Sequence, residues 1–452
     1  MDKGEQRSYI LNNRLIGHGV RLNRNHSLEQ QETAVKKIGL LLCLILSVSA
    51  APLYGAPLTL QACIEKSLST HPDIKRFLLQ ARRSDRELDA VKADYLPQIS
   101  LTGEYDPTRT FVFPTGGSFN TVDSDGWLVG ATLSQKIWDF SRTTSRIKAQ
   151  QIQQDIAGLS LQDARALLAY KVKLQYELVL VQQKARLVRQ KDFQTKEELY
   201  KQAKALQQQG LKTRADTSRF LSAASVAKDN LSLTGANLSK AKAVLSLYIG
   251  EPILPETVFE ESEIMVTSSP KDEETVLRHS PILQSLQQTI KKNDLLYKAT
   301  RAAHYGSIDA VASYTYQDTL NAYDSTMVGV ILNVPFYSGG RLTARDEQAI
   351  IDRQSAKNEY DAKVLALKEE YEKLVIDFKH YGQTIQAKTA QLQAAEQTLE
   401  VVNGRYREGL ATYIEVLDAT ALKLDAELGL LQAGYDRSST IHRLEYLQGT
   451  SL

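Results

Sequence analysis

From Ser141 to Gln209 the chain carries no proline and a single glycine, Gly158, while apolar residues recur at Leu167, Tyr170, Leu174, Leu178, Val181, Ala185 and Val188. Steps of three and four are those of a helix that buries one stripe. Left unbroken, such a helix runs to roughly 100 Å at about 1.5 Å per residue. A second stretch repeats the pattern more cleanly, at Tyr360, Val364, Leu367, Tyr371, Leu374, Phe378, Tyr381 and Ile385. Two rods of this length exclude an ordinary globular domain and call for an elongated coiled-coil shaft.

Each rod ends in the same turn. Gln208-Gln-Gly-Leu-Lys-Thr-Arg-Ala-Asp216 and Arg405-Tyr-Arg-Glu-Gly-Leu-Ala-Thr-Tyr-Ile-Glu-Val-Leu-Asp418 place Gly210 and Gly409 199 residues apart (409 − 210), each followed by a leucine and a threonine at equal steps. The rest of the chain duplicates around them. A helical pattern over Leu58–Ala93 is broken at His71-Pro72-Asp73, and His279-Ser-Pro281 echoes the break. Alternating strands are expected at Gln98–Tyr105 and Trp127–Gln135, and again at Ile308–Tyr316 and Thr326–Val334. The offset is 209 at the prolines (281 − 72) but 199 at Gly130/Gly329, Leu133/Leu332 and Arg142/Arg341, so the loop of the first hairpin is expected to be about ten residues the longer. Residues 51–250 therefore read as one repeat (helix, two strands, long helix, tip, helix) and 275–452 as the second. Between them lies an acidic linker, 251–274, with strand-like pieces around Val258 and Ile264–Val266.

Ahead of the repeats, Lys36-Lys37, the apolar Ile38–Val48 and Ser49-Ala50-Ala51 have the three parts of a signal peptide over 35–50, with cleavage expected near Ala50. Leu40-Leu-Leu before Cys43 lacks the small residue that lipid attachment would want. Residues 1–34 are polar and unpatterned and are expected to be a non-native extension, translation starting at Val35. The charge balance, 55 Lys+Arg against 53 Asp+Glu, gives no nucleic-acid footprint. With Cys43 in the signal segment, Cys63 stands alone, so no internal disulfide is expected. Seven scattered histidines, no metal-ligand spacing and no phosphate-binding glycine loop give no grounds for an enzyme, a cofactor or a metal site. Only Met1, Met265 and Met327 are methionines, which makes no thioether ladder for soft metals.

The strands carry the next constraint. Ile99, Leu101 and Tyr105 alternate with Gln98, Ser100, Thr102 and Glu104, and Trp127, Val129, Ala131 and Leu133 share a face on the next strand. The helices beside them are committed to one another, which leaves lipid to cover the apolar side. Strands in lipid must close into a barrel. Four are too few, so several copies would have to contribute. Tyr95, Tyr105, Trp127, Tyr305, Tyr314 and Tyr316 near the strand ends suit an interfacial aromatic girdle.

On these residues the chain resembles the TolC-like outer membrane efflux proteins of Gram-negative bacteria. The resemblance covers about residues 56–450 and rests chiefly on Val334-Pro-Phe-Tyr-Ser-Gly-Gly340 after the fourth strand and on the turn from Tyr406 to Asp418. Thr59-Leu-x-x-Cys-Ile, Tyr95-Leu-Pro97 and Gln135-Lys-Ile-Trp-Asp139 add weaker echoes. It implies a mostly helical chain with long helical hairpins and four strands. Three copies would form a twelve-stranded barrel in outer-membrane lipid, continued through the periplasm by helices. It further implies export of drugs or other substrates through a homotrimer coupled to a periplasmic adaptor protein and an inner-membrane pump of RND, ABC or MFS type. The channel of a type I protein secretion system is the alternative within the class; a secreted coiled-coil structural or adaptor protein is the alternative outside it.

Residue by residue, the resemblance implies adaptor docking at Gly210 and Leu211 and at Gly409 and Leu410, and a constriction at Glu415 and Asp418. It also implies a latch between Tyr406 and Asp216 of neighbouring hairpins. Glu415 and Asp418, three apart, share one helix face and would stack as carboxylate rings in a trimer. Some members carry a basic residue where this chain has Ala411, and Arg214 is the candidate to replace it.

Overall fold

The computed structural model describes residues 57–261 and 271–449; the expected signal peptide and the 1–34 extension lie outside them. The first repeat runs α1 (Leu60–Thr70), α2 (Pro72–Ala93), β1 (Gln98–Thr115), β2 (Ser118–Trp138), α3 (Arg142–Gln208) and α4 (Arg214–Ile249). The second runs α5 (Glu273–His279), α6 (Pro281–Ala302), β3 (Ser307–Asp318), β4 (Ala322–Asn333), α7 (Arg341–Arg407) and α8 (Tyr413–Leu447). The duplication is close to one for one: α3 and α7 are each 67 residues, α2 and α6 each 22, and α4 and α8 are 36 and 35. Pro72 and Pro281 each sit in the first turn of their helix, where a missing N–H costs nothing.

Helix α3 lies among α1, α2, α4, α6 and α8, so it is buried on more than one side. The stripe expected from Leu167 to Val188 is only half-buried; the deepest side chains are Ala169, Val172, Tyr176 and Val179, all 0% exposed. A single-seam heptad does not describe a helix with five neighbours. Helix α7 has fewer, and its expected stripe holds: Leu367 is buried and the other seven residues are half-buried. Where α1, α3 and α4 meet, the Tyr176 hydroxyl donates to the carbonyls of Leu58 and Glu260, both at 2.7 Å, tying the repeat's beginning to its end. Phe259 and Leu58 form an isolated parallel bridge, the strand-like piece expected near Val258; Ile264–Val266 lies outside the described residues.

The strands form one antiparallel sheet in the order β1-β2-β3-β4. Its register settles which side chains share a face. Ile99 pairs Leu133, Leu133 pairs Ala312, and Ala312 pairs Val328; Leu101, Ala131 and Tyr314 line up one pair further along. The first of these rows is apolar from edge to edge, and the face lies open: Ile99 is 75% exposed, Leu101 81%, Val328 80% and Leu332 64%. The opposite face presents Ser100, Thr132 and Ser313. A bulge between Lys136 and Trp138 skips Ile137 and brings Trp138 opposite Ile308, onto the apolar side.

Two sequence expectations fail here. The segment between Tyr105 and Trp127 is not a loop: past a bulge at Asp106/Arg109, β1 and β2 keep pairing to Thr115/Ser118 around Gly116-Gly117, both with positive φ. Thr110-Phe-Val-Phe113 has strand propensity, and two left-handed residues make the tight turn that matches strand twist. The extra length of the first repeat is thus paired strand standing beyond β3 and β4. Tyr95 leaves the girdle: it is half-buried at the start of α3, its hydroxyl 3.0 Å from Thr144 Oγ1 and donating to Asp139 at 3.4 Å.

Candidate functional site

At the end of the shaft far from the sheet, α3 turns into α4 and α7 into α8 through one geometry used twice. Gly210 and Gly409 take φ of 75° and 77°. Left-handed backbone ends a helix by returning N–H groups to its last carbonyls. Gly210 donates to Gln207 and Leu211 to Leu206, both at 2.9 Å; Gly409 donates to Tyr406 at 3.1 Å and Leu410 to Arg405 at 2.8 Å. The following helix then opens on a capping box. Thr213 Oγ1 accepts from the Asp216 N–H at 3.2 Å while the Asp216 carboxylate accepts from the Thr213 N–H at 3.2 Å. Thr412 and Glu415 do the same at 3.3 and 2.7 Å. A box of this kind is worth about 1 kcal/mol and fixes the exit direction of the chain. Held this way, Leu211 and Leu410 point outward, 67% and 68% exposed.

The tips are bound to each other. Leu199, Ala203, Phe220, Tyr406, Ala411 and Val416 make a buried cluster drawn from both hairpins. The Phe220 ring stands edge-on to Tyr406 at 6.4 Å and to Tyr413 at 6.0 Å. Lys212 lies over the Tyr406 ring at 5.2 Å and Arg219 over Tyr413 at 5.0 Å. Ala411, where the resemblance implies a basic residue in some members, is itself buried in this cluster.

The expected gate residues divide. Glu415 and Asp418 are both exposed on one face of α8; Glu415 is engaged in its capping box, and Asp418 makes no hydrogen bond or ion pair among the described residues. Within one protomer Tyr406 and Asp216 are not hydrogen-bonded. The Asp216 carboxylate serves Thr213, and the Tyr406 hydroxyl is buried without a partner. Burial, and then the nearby Asp216 charge, push the Tyr406 phenol above its ordinary value. Arg214 is exposed at the start of α4. The sequence marks the two threonines only as part of the repeat and leaves Phe220 unmarked; the capping role shows in a threonine three residues before Asp216 and before Glu415.

A shaft of paired rods, an open apolar sheet and two matched tips have counterparts among known proteins. The sequence profile of the outer membrane efflux protein family matches residues 63–251 and 274–450. The chain belongs to that family. Its relatives include the outer membrane protein TolC of Vibrio cholerae, 24% identical over 405 residues, which span 83% of this chain and 87% of that one. The outer membrane efflux protein BepC of Brucella suis is 24% identical over 410 residues, 87% and 88% of the two chains. Among solved structures, CusC superposes with a TM-score of 0.78 at 16% identity, covering 86% of this chain and 91% of that one. The outer-membrane channel OprN gives 0.78 at 17% identity, over 86% and 90%. Membership fixes the fold and the place: an efflux channel protein of the outer membrane, with the strands in its barrel part and the hairpins as its shaft. A groove of about 810 Å³ between α6 and α7 lies away from the tips and is lined by Lys291, Asp294, Arg353 and Lys357 among others.

Proposed function

We propose that three copies of this chain form the outer-membrane channel of a tripartite exporter. The open apolar face would meet lipid, the polar face would line the pore, and the duplicated tips would dock a periplasmic adaptor fed by an inner-membrane pump. The observation that carries the reading is the pairing of that sheet face with two tips of matching geometry, each presenting one outward leucine on a rigid turn. Further apolar residues stand uncovered along the rods, among them Leu247, Leu365, Ile376 and Val401, each more than 60% exposed. Stripes of this kind are surfaces for neighbouring copies.

Glu415 and Asp418 would ring the inner opening with six carboxylates in a trimer, close enough to repel, bind cations and titrate together. The buried, unpartnered Tyr406 hydroxyl would find its acceptor across the boundary between copies, Asp216 giving up part of its capping role. The transported substrate follows the pump and adaptor. One relative matching over 39% of this chain is named a proteases secretion protein, so type I secretion stands as the second reading.

The test replaces Gly409 by arginine in cells that depend on this channel. No atom lies within 4 Å of a Cβ added at Gly409, so the substitution costs only the left-handed backbone, about 1–2 kcal/mol. Export should be lost while trimer abundance stays near normal. Retained export would mean that the tip is not the docking surface.

A further inference from the structure

The join between sheet and rods is built twice, and the two copies differ in their turn. Gly339 and Gly340 take φ of 60° and 80° before α7; 199 residues earlier (339 − 140), Phe140 and Ser141 take φ of 55° and 69° before α3. They are the only non-glycine residues with positive φ among those described. The second repeat uses glycine for a left-handed turn, whereas the first accepts strain and gains an aromatic side chain. Strain of this sort persists where it serves a purpose. Phe140 packs against Trp138 at 6.2 Å and Tyr305 at 5.3 Å, and all three are exposed. Phe336 and Tyr337, at the positions matching Ile137 and Trp138, are 101% and 87% exposed. Trp138 lies eleven residues from Trp127 (138 − 127) at the other end of the apolar face. At about 3.3 Å per residue and the usual strand tilt, that is roughly 25–28 Å along the membrane normal, the height of a barrel's apolar band.

Immediately below the aromatic shelf come Arg142 and Arg146 on α3 and their matches Arg341 and Arg345 on α7. None of the four forms an ion pair among the described residues. Arg142 is held below its usual value by burial and then by Arg146; Asp139 opposes the shift and Arg345 adds a weaker push, so positive charges from both rods converge. The carboxylate beside it, Asp139, is 1% exposed and already accepts from the Thr143 N–H at 2.9 Å. Asp346 is held by His304 at 2.9 Å. Arginine in the first turns of both helices also opposes the helix dipole. Within the protomer, Asp139 attracts Arg142 without forming an ion pair with it.

We infer that this arginine collar and its aromatic shelf form a binding surface for anionic phospholipid in the periplasm-facing leaflet of the outer membrane. Acyl chains lie against the shelf, and the headgroup phosphate is taken by the guanidinium groups of both repeats. The inference rests on the membrane placement of the sheet. Lipid bridging α3 and α7 would splint the two rods where they leave the membrane.

Only Trp127 and Trp138 are tryptophans, so Trp127→Phe leaves a single reporter on the shelf. The full-length trimer would be reconstituted in phosphatidylcholine containing a titrated fraction of phosphatidylglycerol, either lipid brominated high on its acyl chain. Bromine on phosphatidylglycerol should quench Trp138 well beyond its share of the lipid. That preference should fall about five-fold for each arginine changed to glutamine, weaken in high salt and persist in Arg142→Lys with Arg345→Lys. Equal quenching by the two lipids would overturn the collar and leave the membrane placement standing. No quenching by either would overturn the placement itself. If the glutamine variants lose trimer equally in pure phosphatidylcholine, the arginines hold a neighbouring copy and the lipid inference fails.

Discussion

Replacing Leu211 and Leu410 together by serine is the sharpest test of the tips. Both side chains are about two-thirds exposed and lie outside the buried cluster that joins the hairpins. Fully burying a leucine is worth about 1.5–3 kcal/mol, so covering what is open at each tip yields roughly 1–2 kcal/mol, and about 2–4 kcal/mol for the two. At tenfold per 1.4 kcal/mol, adaptor affinity should drop between about 30-fold and several hundred-fold for each protomer's pair. The fold should scarcely respond, since surface changes away from packed or strained features stay within about 0.5 kcal/mol. The assay combines adaptor titration on immobilised channel with the thermal midpoint of the same preparation. Unchanged affinity would refute the docking argument. A fall in midpoint that matches the fall in affinity would show that the leucines support the fold instead.

Three further outcomes follow from named contacts. Thr412→Ala removes one side of the Glu415 capping box and should destabilise the tip by about 1 kcal/mol, read as faster amide exchange over the first turn of α8. Val328→Lys, midway along the apolar face, should cost about 2–4 kcal/mol of barrel stability in bilayers, whereas Ser100→Lys on the polar face should cost little; equal costs would contradict the lipid-facing register. His442 is 4% exposed and lies 3.5 Å from Glu177 and 3.2 Å from Glu445, which also pairs with Lys173 at 2.9 Å. Burial opposes the imidazolium, but hydrogen bonds to the two carboxylates outweigh it, so His442 titrates above its ordinary 6.5. A raised value means that the stabilisation is complete below about pH 6.5 and is lost as pH rises through the folded value. His442→Gln should therefore lower the thermal midpoint more at pH 5.5 than at pH 9; an equal effect at both would show that only packing is lost. Glu445, drawn down to about 2 against its burial by His442 and Lys173, contributes stability present above its ordinary 4.5 and lost in stronger acid.

Much of the architecture could be read from the sequence because it is periodic and duplicated. The proline-free rods, the 199-residue offset and the tip glycines each leave marks at fixed spacing. What stayed hidden depends on three-dimensional neighbours. Asp106-Pro107 and Ser124-Asp-Gly126 are turn-forming residues that cross-strand pairing overrides. The α3 core falls one or two residues off the expected stripe because α3 is covered from several sides, which no heptad records. Tyr95 is an ordinary belt residue until Thr144 and Asp139 claim its hydroxyl. At the tips, the glycines and leucines were legible, but the capping boxes that occupy Asp216 and Glu415 were not read, though their threonines stand in plain view. The strained Phe140-Ser141 turn had a signal too: alignment with Gly339-Gly340 shows where left-handed backbone is required.

We propose a channel whose inner opening is ringed by carboxylates. It is tested most directly by planar-bilayer conductance of the purified trimer, with a di- or trivalent cation titrated from the tip side and Glu415→Ala with Asp418→Ala measured in parallel. Small currents that the cation blocks, with block much weakened in the double variant, are the predicted result. No current from a folded, inserted trimer would contradict the channel, and block unchanged by the double substitution would contradict the ring.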